Sequence, residues 1–255
     1  MLRWVAGERS VKELTRMLCG KAAHRVVAEN GDILAHVMPE IEPALTFVQQ
    51  RNGKEENLWL HAAETLAYSS DIPEVRWAML LRDIGKPYCQ QAGSETNSLY
   101  EGHAEVGAQL ADAILRRLKT DRKSRDVVCE LIRFHGIHPV TDRVSVQRWL
   151  QLLGPKQLTS LVHIWWADAM AHRVKADSLK AFEKTLMDLI DEGFCYSVDQ
   201  LAITGGNLMT EGLAQPGPSM SNLLDWLLHE VVEGRVENNK EALLNKAREW
   251  QGKKK

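Results

Sequence analysis

The chain has 255 residues, 44% of them hydrophobic and 26% charged, with a formal net charge of -2. It is long enough to bury a core, and its near-neutral balance gives no global pull toward nucleic acid, so any RNA contact must use a local basic patch. Cys19, Cys89, Cys129 and Cys195 form no CxxC pair, which argues against a disulfide framework or a zinc knuckle. No basic start leads into an apolar run, and no apolar stretch approaches the roughly 18 residues needed to span a bilayer. The expectation is a cytoplasmic protein.

The elements read as helices almost throughout. Leu58, Ala62, Thr65 and Leu66 share one helical face; Ala104, Gly107, Ala108, Ala111 and Leu115 share another. Val128, Leu131, Ile132 and His135 repeat at the same period, as do Leu223, Trp226, Leu227, Glu230 and Val231. No sustained strand-type alternation is present. Breakers at Asn52-Gly53, Gly85-Lys86-Pro87, Gly93-Ser94, His138-Pro139, Gly154-Pro155, Gly205-Gly206 and Pro216-Gly217-Pro218 divide the chain into about ten helices. The predicted class is all-α. Three regions are expected: a helical lead-in over 1–50, a His- and Asp-bearing domain over 51–175, and a helical tail over 176–255.

Five candidate metal ligands fall at helix-sized separations: His61, Asp83, His103, His135 and Asp168. Asp83 ends a helix that starts near Pro73, and Gly85 then suits a C-terminal break. His103 follows Gly102 at a helix start. Asp168 lies in the apolar segment Trp165-Trp166-Ala167-Asp168-Ala169, where a carboxylate needs a metal or an arginine as partner. For a single His on an apolar helix the ordinary role is a hydrogen-bonded core residue, and Arg173 is a local salt-bridge candidate for Asp168. The five together, around Asp83-Ile84-Gly85-Lys86-Pro87, are harder to assign to chance. His138 and His172 lie one helical turn from proposed ligands, while His24, His36, His163 and His229 carry no site reading. Trp59, Trp77, Trp149, Trp165, Trp166 and Trp226 read as packing.

The order His61, Arg82-Asp83, Gly102-His103, Phe134-His135 and Ala167-Asp168 resembles the HD superfamily of metal-dependent phosphohydrolases, named for an adjacent His-Asp pair. Here Arg82 stands where that His belongs. More specifically, the chain resembles the C-terminal part of bacterial CCA-adding tRNA nucleotidyltransferases and their poly(A) polymerase relatives. Gly7-Glu8-Arg9-Ser10 with Met38-Pro39-Glu40 looks like the start of the RNA-binding body. Thr204-Gly205-Gly206-Asn207-Leu208-Met209, Pro216-Gly217-Pro218 and Glu233-Gly234-Arg235-Val236-Glu237-Asn238 look like the tail. The family's catalytic head, with its Gly-Ser motif and paired Asp residues, has no counterpart here. Two-metal nucleotidyl transfer needs clustered carboxylates, so this sequence alone is not expected to add CCA.

The resemblance implies a first metal position at His61, Arg82, Asp83 and Asp168. A guanidinium has no free lone pair and stays protonated. Arg82 should therefore weaken that position and pair with Asp83 or Asp168. A second position, made of Asp83, His103 and His135, keeps its ligands and could hold a divalent ion (Mg, Mn, Fe, Ni or Zn) with water in the open place. Lys86 could steady a phosphate or act as a helix C-terminal cation. Arg116, Arg117, Lys119, Arg122, Lys123 and Arg125 crowd ten residues and form the candidate RNA patch; the alternative is a solvated helix end. Lys253 to Lys255 read as a disordered basic end.

Three functions follow. The leading one is a tRNA-binding or accessory protein with a degenerate metal site, acting alone or with a separate nucleotidyltransferase head. The second is a metal-dependent phosphohydrolase of phosphomonoesters or 2',3'-cyclic phosphates, with Asp83, Lys86 and Arg82 in the catalytic set and Arg82 as a phosphate clamp. The third is a pseudoenzyme in which an ion network of Arg82 with Asp83 and Asp168 replaces the metal.

Overall fold

The computed structural model describes residues 7–51, 54–89, 100–137 and 139–252. The first helices are α1 (Gly7–Leu18), α2 (Ala23–Glu29), α3 (Gly31–Val37) and α4 (Glu42–Thr46). A hairpin follows, β1 (Val48–Arg51) antiparallel to β2 (Lys54–Asn57). Next come α5 (Leu58–Leu66), α6 (Pro73–Leu81), the single turn α7 (Lys86–Cys89), α8 (His103–Arg117), α9 (Arg122–Phe134) and the long α10 (Arg143–Ala171). The tail holds α11 (Asp177–Asp191), α12 (Gly205–Thr210), α13 (Pro218–Val232) and α14 (Lys240–Gly252).

The class is predominantly all-α, with more and shorter helices than the sequence breakers suggest. The hairpin was not foreseen. Its strands are four residues each and mostly polar, so they carry too little alternation to register as strands. The expected breakers at Asn52-Gly53 and Gly93-Ser94, the histidine His138 and the tail Lys253 to Lys255 lie outside the described residues. No helix among the described residues is long and apolar enough to cross a membrane.

The chain packs as two compact units, one of residues 1–138 with 159–176 and one of 139–158 with 177–255. This division has one boundary inside the long helix, at 158/159, and another at 176/177. The break in α10 falls at Gly154, whose φ of 67° and ψ of 168° are non-helical, just before Pro155.

In the first unit the helical faces read from the sequence are buried: Leu58, Ala62 and Leu66 on α5, Ala108, Ala111 and Leu115 on α8, and Val128, Leu131 and Ile132 on α9. Trp59 and Trp77 are core residues whose indole N–H groups donate to the Val27 carbonyl and to Thr15 Oγ1. Asn57 caps α5 by accepting from the Leu60 amide at 2.9 Å, which fixes where the helix bearing His61 begins.

The second unit has its own core, from Cys195, Leu201, Ile203 and Leu208 to Leu227, Val231, Leu243 and Ala247. Thr204 and Asn207 form a capping box on α12. Asn238 braces the preceding loop, accepting from the Ala202 amide at 2.8 Å and donating to the Gln200 carbonyl at 3.0 Å. Glu230, on the apolar face of α13, is buried and answered by Arg235 at 2.8 Å and Lys246 at 3.1 Å. Cutting Glu230 to Ala removes the buried carboxylate that both cations share and leaves them only Glu233 at 3.5 Å and Glu249 at 3.4 Å, while opening a space beside this core. The second unit should then lose about 2 kcal/mol, seen in urea unfolding monitored at Trp226 and Trp250.

Candidate functional site

The first unit brings the five residues proposed as ligands together through Asp83: His61 and Asp168 meet it across a buried arginine, and His103 and His135 face it directly. His61 lies on α5, Arg82 and Asp83 form the turn after α6, His103 opens α8, His135 follows the last residue of α9, and Asp168 lies on α10. The turn is held tight by a close approach. A Cβ on Gly85 would lie 2.2 Å from the His103 carbonyl oxygen and 2.7 Å from the Gly107 amide nitrogen. Gly85 is not among the residues with positive φ, so its role is this backbone contact with α8. The helix break expected here from sequence is present, since α6 ends at Leu81.

Arg82 is 1% exposed. Its Nε lies 3.2 Å from Asp83 Oδ2. One terminal nitrogen donates to Thr65 Oγ1 at 3.1 Å and to the Met79 carbonyl at 3.2 Å. The other donates to Asp168 Oδ1 at 2.7 Å and lies 3.0 Å from His61 Nε2. The guanidinium thus stands between the groups that would face an ion in the first position. It pairs with both aspartates. Burial alone would raise the Asp168 carboxyl, but Arg82, His172 and His61 outweigh it and hold it far below the usual carboxylate range.

The second group is Asp83, His103 and His135. Asp83 Oδ1 is 3.8 Å from His103 Nε2 and 3.6 Å from His135 Nε2, and the two Nε2 atoms are 3.4 Å apart. Each ring has its Nδ1 on a backbone carbonyl, His103 to Tyr100 at 2.8 Å and His135 to Ile132 at 2.6 Å. A carbonyl cannot donate, so each Nδ1 carries the proton and each Nε2 presents a lone pair. Trp165 anchors this corner by donating its indole N–H to the His135 carbonyl at 3.0 Å. Two lone pairs and a carboxylate oxygen facing one another call for a cation, and this donor set suits a divalent transition ion. Lys86 already supplies one charge there. Its ammonium is 2.7 Å from Asp83 Oδ1 and 2.9 Å from Gln49 Oε1. Asp83 is raised by burial, yet Lys86 and Arg82 hold it well below its ordinary value. His103 is pushed down, chiefly by burial.

Three further residues join the site. Glu56 on β2 reaches His61 Nδ1 at 3.1 Å and lies 3.9 Å from His172 Nε2. Gln49 on β1 is 2% exposed and donates to Glu56 at 2.8 Å. His172, singled out in sequence only as a neighbour, contacts Asp168 with Nδ1. Glu56 and Gln49 could be found only through the hairpin register, which pairs Gln49 with Glu56.

The basic cluster is placed mostly at the surface, but part of it is engaged. Arg117 forks onto Glu40 at 2.5 and 2.7 Å, and Arg125 is 2.7 Å from Asp112 and largely buried. Arg116 pairs with the same Asp112, and Arg122 lies 3.5 Å from Asp126. Arg116, Lys119, Arg122 and Lys123 are exposed.

A family model described as tRNA nucleotidyltransferase domain 2 matches residues 103–247, more than half of the chain. The chain belongs to that family. The chain is 28% identical, over 93% of its length, to the CC-adding tRNA nucleotidyltransferase of Thermus thermophilus, of which it covers 55%. It is 31% identical over half its length to the multifunctional CCA protein of Alkalilimnicola ehrlichii, covering 32% of that protein. With the A-adding tRNA nucleotidyltransferase of Deinococcus radiodurans it shares 27% identity over 66% of its length and 40% of the relative's. It therefore spans about half, or less, of the curated relatives it matches.

Proposed function

We propose that this chain binds tRNA as the body-and-tail part of a tRNA nucleotidyltransferase system, serving a nucleotidyltransferase head in the same or a separate chain. Its HD-like centre is organised in the first position by Arg82 in place of a metal ion. The family match carries the reading, since the relatives it aligns with are named for adding nucleotides to tRNA. The Arg82 network supports the second half. A guanidinium engaged by Asp83, Asp168 and Thr65 holds α5, α6 and α10 together, which is a structural role. This division of labour leaves tRNA contact to exposed cations, with Arg116, Lys119, Arg122 and Lys123 as the candidates. The test is tRNA binding by fluorescence anisotropy across a salt series. Changing Arg116, Arg122 and Lys123 together to Gln should flatten the slope of log Kd against log salt by about three. An unchanged slope would remove the patch from the interface.

A second reading, a single-metal phosphohydrolase of phosphomonoesters or cyclic phosphates, is favoured by the tautomers fixed at His103 and His135. Asp83, His103 and His135 would hold the ion, which when bound would acidify a water molecule. The side chains' own part is clear: the Tyr100 and Ile132 carbonyls hold the two imidazoles with Nε2 unprotonated toward Asp83. Lys86 competes for the same carboxylate. Lys86→Met should therefore raise Mn2+ or Ni2+ affinity at least tenfold, or about 1.4 kcal/mol, measured by calorimetric titration. Hydrolysis of a 2',3'-cyclic nucleotide that appears with the ion and disappears in His103→Ala would establish this activity. Metal affinity unmoved by Lys86→Met would sink it.

A further inference from the structure

A cavity of about 590 Å3 opens on the first unit, and none of the candidate metal ligands lines it. Its walls are mostly apolar, with Val11 from α1, Cys19 just after that helix, and Pro73 and Trp77 from α6. Pockets that hold small ligands run to roughly 300–1,000 Å3, with apolar walls and a few polar groups at fixed places.

The polar groups here are chiefly cations. Lys12 and Arg16 stand one turn apart on α1, and both are exposed. Neither has an ion-pair partner among the described residues. Like charges at this spacing repel, so an anion beside them is favourable. Lys119 adds a third cation from the turn between α8 and α9. The carboxylates at the cavity are tied to Ser124: Glu74 accepts from its hydroxyl at 3.0 Å and Asp121 from its amide at 2.9 Å.

Lys119 also has a φ of 61°, in the left-handed region. The Thr120 amide donates to the Leu115 carbonyl at 2.9 Å, and the Lys119 amide donates to the Arg116 carbonyl at 3.0 Å. That is the bond pattern of a helix end whose left-handed position ordinarily takes Gly. A lysine there is strained, and what the strain secures is a cation at the cavity.

We infer that this cavity takes an unpaired nucleotide of RNA, with its base against the apolar walls and its phosphates on Lys12, Arg16 and Lys119. The inference rests on the tRNA-binding reading above and adds to it a contact on α1. Lys119 belongs both to the cavity and to the exposed basic patch, and the turn over 119–121 lies between Arg116 and Arg122. The patch therefore continues into the cavity. An RNA duplex offers phosphates and sugar hydroxyls, which leave apolar walls uncovered; an unpaired base brings flat faces that cover them.

The experiment follows alkylation of Cys19, which is partly exposed, in a Cys89→Ser background; Cys129 and Cys195 are buried. At ten times its dissociation constant, tRNA or a single-stranded oligoribonucleotide should slow the reaction about tenfold, and a blunt RNA duplex should leave it unchanged. Val11→Trp, which fills the cavity, should weaken tRNA binding about tenfold, with a thermal melt to verify folding. Lys119→Gly should keep or raise the melting temperature, because glycine suits the left-handed backbone. It should nevertheless flatten the slope of log Kd against log salt by about one. Cys19 reactivity unmoved by bound tRNA, equal protection by the duplex, or unaltered tRNA binding in both variants overturns the inference and leaves tRNA binding as such standing. Failure of the wild type to bind tRNA removes both.

Discussion

Arg82→Ala is expected to destabilise the first unit by about 3–5 kcal/mol, the usual cost of removing one partner from a buried ion network. That corresponds to about 10 °C in melting temperature for a unit of this size. The loss has two parts. Asp83 and Asp168 keep their charges with one counter-ion fewer, and Thr65 Oγ1 and the Met79 carbonyl lose a donor. Arg82→Lys should recover only part of it, because an ammonium cannot reach both carboxylates and the carbonyl in one fixed fork. Arg82→His should behave differently from either. It puts a ligand where the guanidinium was, so Ni2+ or Mn2+ should raise its melting temperature. An ion at a hundred times its dissociation constant contributes about 2.7 kcal/mol. The effect should also depend on pH. The Asp168 carboxyl is held below its ordinary value of 3.8 in the folded chain. Its contribution is therefore present above about pH 4 and lost as pH falls below it. The gap between wild type and Arg82→Ala should narrow below pH 4. A gap that stays constant from pH 7 to pH 3 would mean that the carboxylates do not set it.

Gly85→Ala is the second large effect. Its Cβ would meet the His103 carbonyl oxygen at 2.2 Å and the Gly107 amide nitrogen at 2.7 Å. Both are backbone atoms of α8, so no rotamer change relieves the clash. The α8 helix must move away from the turn that carries Asp83, at about 3 kcal/mol, the upper end of overpacking costs. The same movement separates His103 from Asp83, so metal uptake by the Asp83, His103 and His135 group should fall together with stability. Gly107→Ala is the control: its Cβ would lie 3.1 Å from the Arg82 carbonyl oxygen, a contact that a small shift absorbs. It should cost about 1 kcal/mol. Equal losses in the two variants, measured by chemical denaturation, would show that α8 is not seated on Gly85 as described.

How much of this could be read from the sequence depends on how each residue announces itself. Asp168 did so by its company, a carboxylate among tryptophans, and Arg82 by standing where the resemblance to the HD superfamily places a His. Such conflicts between residue type and local pattern are visible without a structure. A partner of Asp168 that no local pattern announces is Arg82, 86 residues away along the chain. Glu56 and Gln49 gave no such signal. They sit in a polar stretch that reads as solvent-facing, and only the pairing of β1 with β2 turns them inward. The basic cluster is misleading in the other direction. Six cations in ten residues look like one positive face. Yet Arg117 and Arg125 are held by Glu40 and Asp112, carboxylates outside the cluster. Sequence proximity shows charge density but not which charges are already answered.

The central claim is tested most directly by whether the purified chain prefers tRNA. Competition binding would set unmodified tRNA against a DNA duplex of similar charge at moderate salt. The account predicts tRNA preferred by at least tenfold, about 1.4 kcal/mol, with that ratio persisting as salt rises and both affinities fall. Equal affinity for the two polymers, or no binding of tRNA even at low salt, would contradict it.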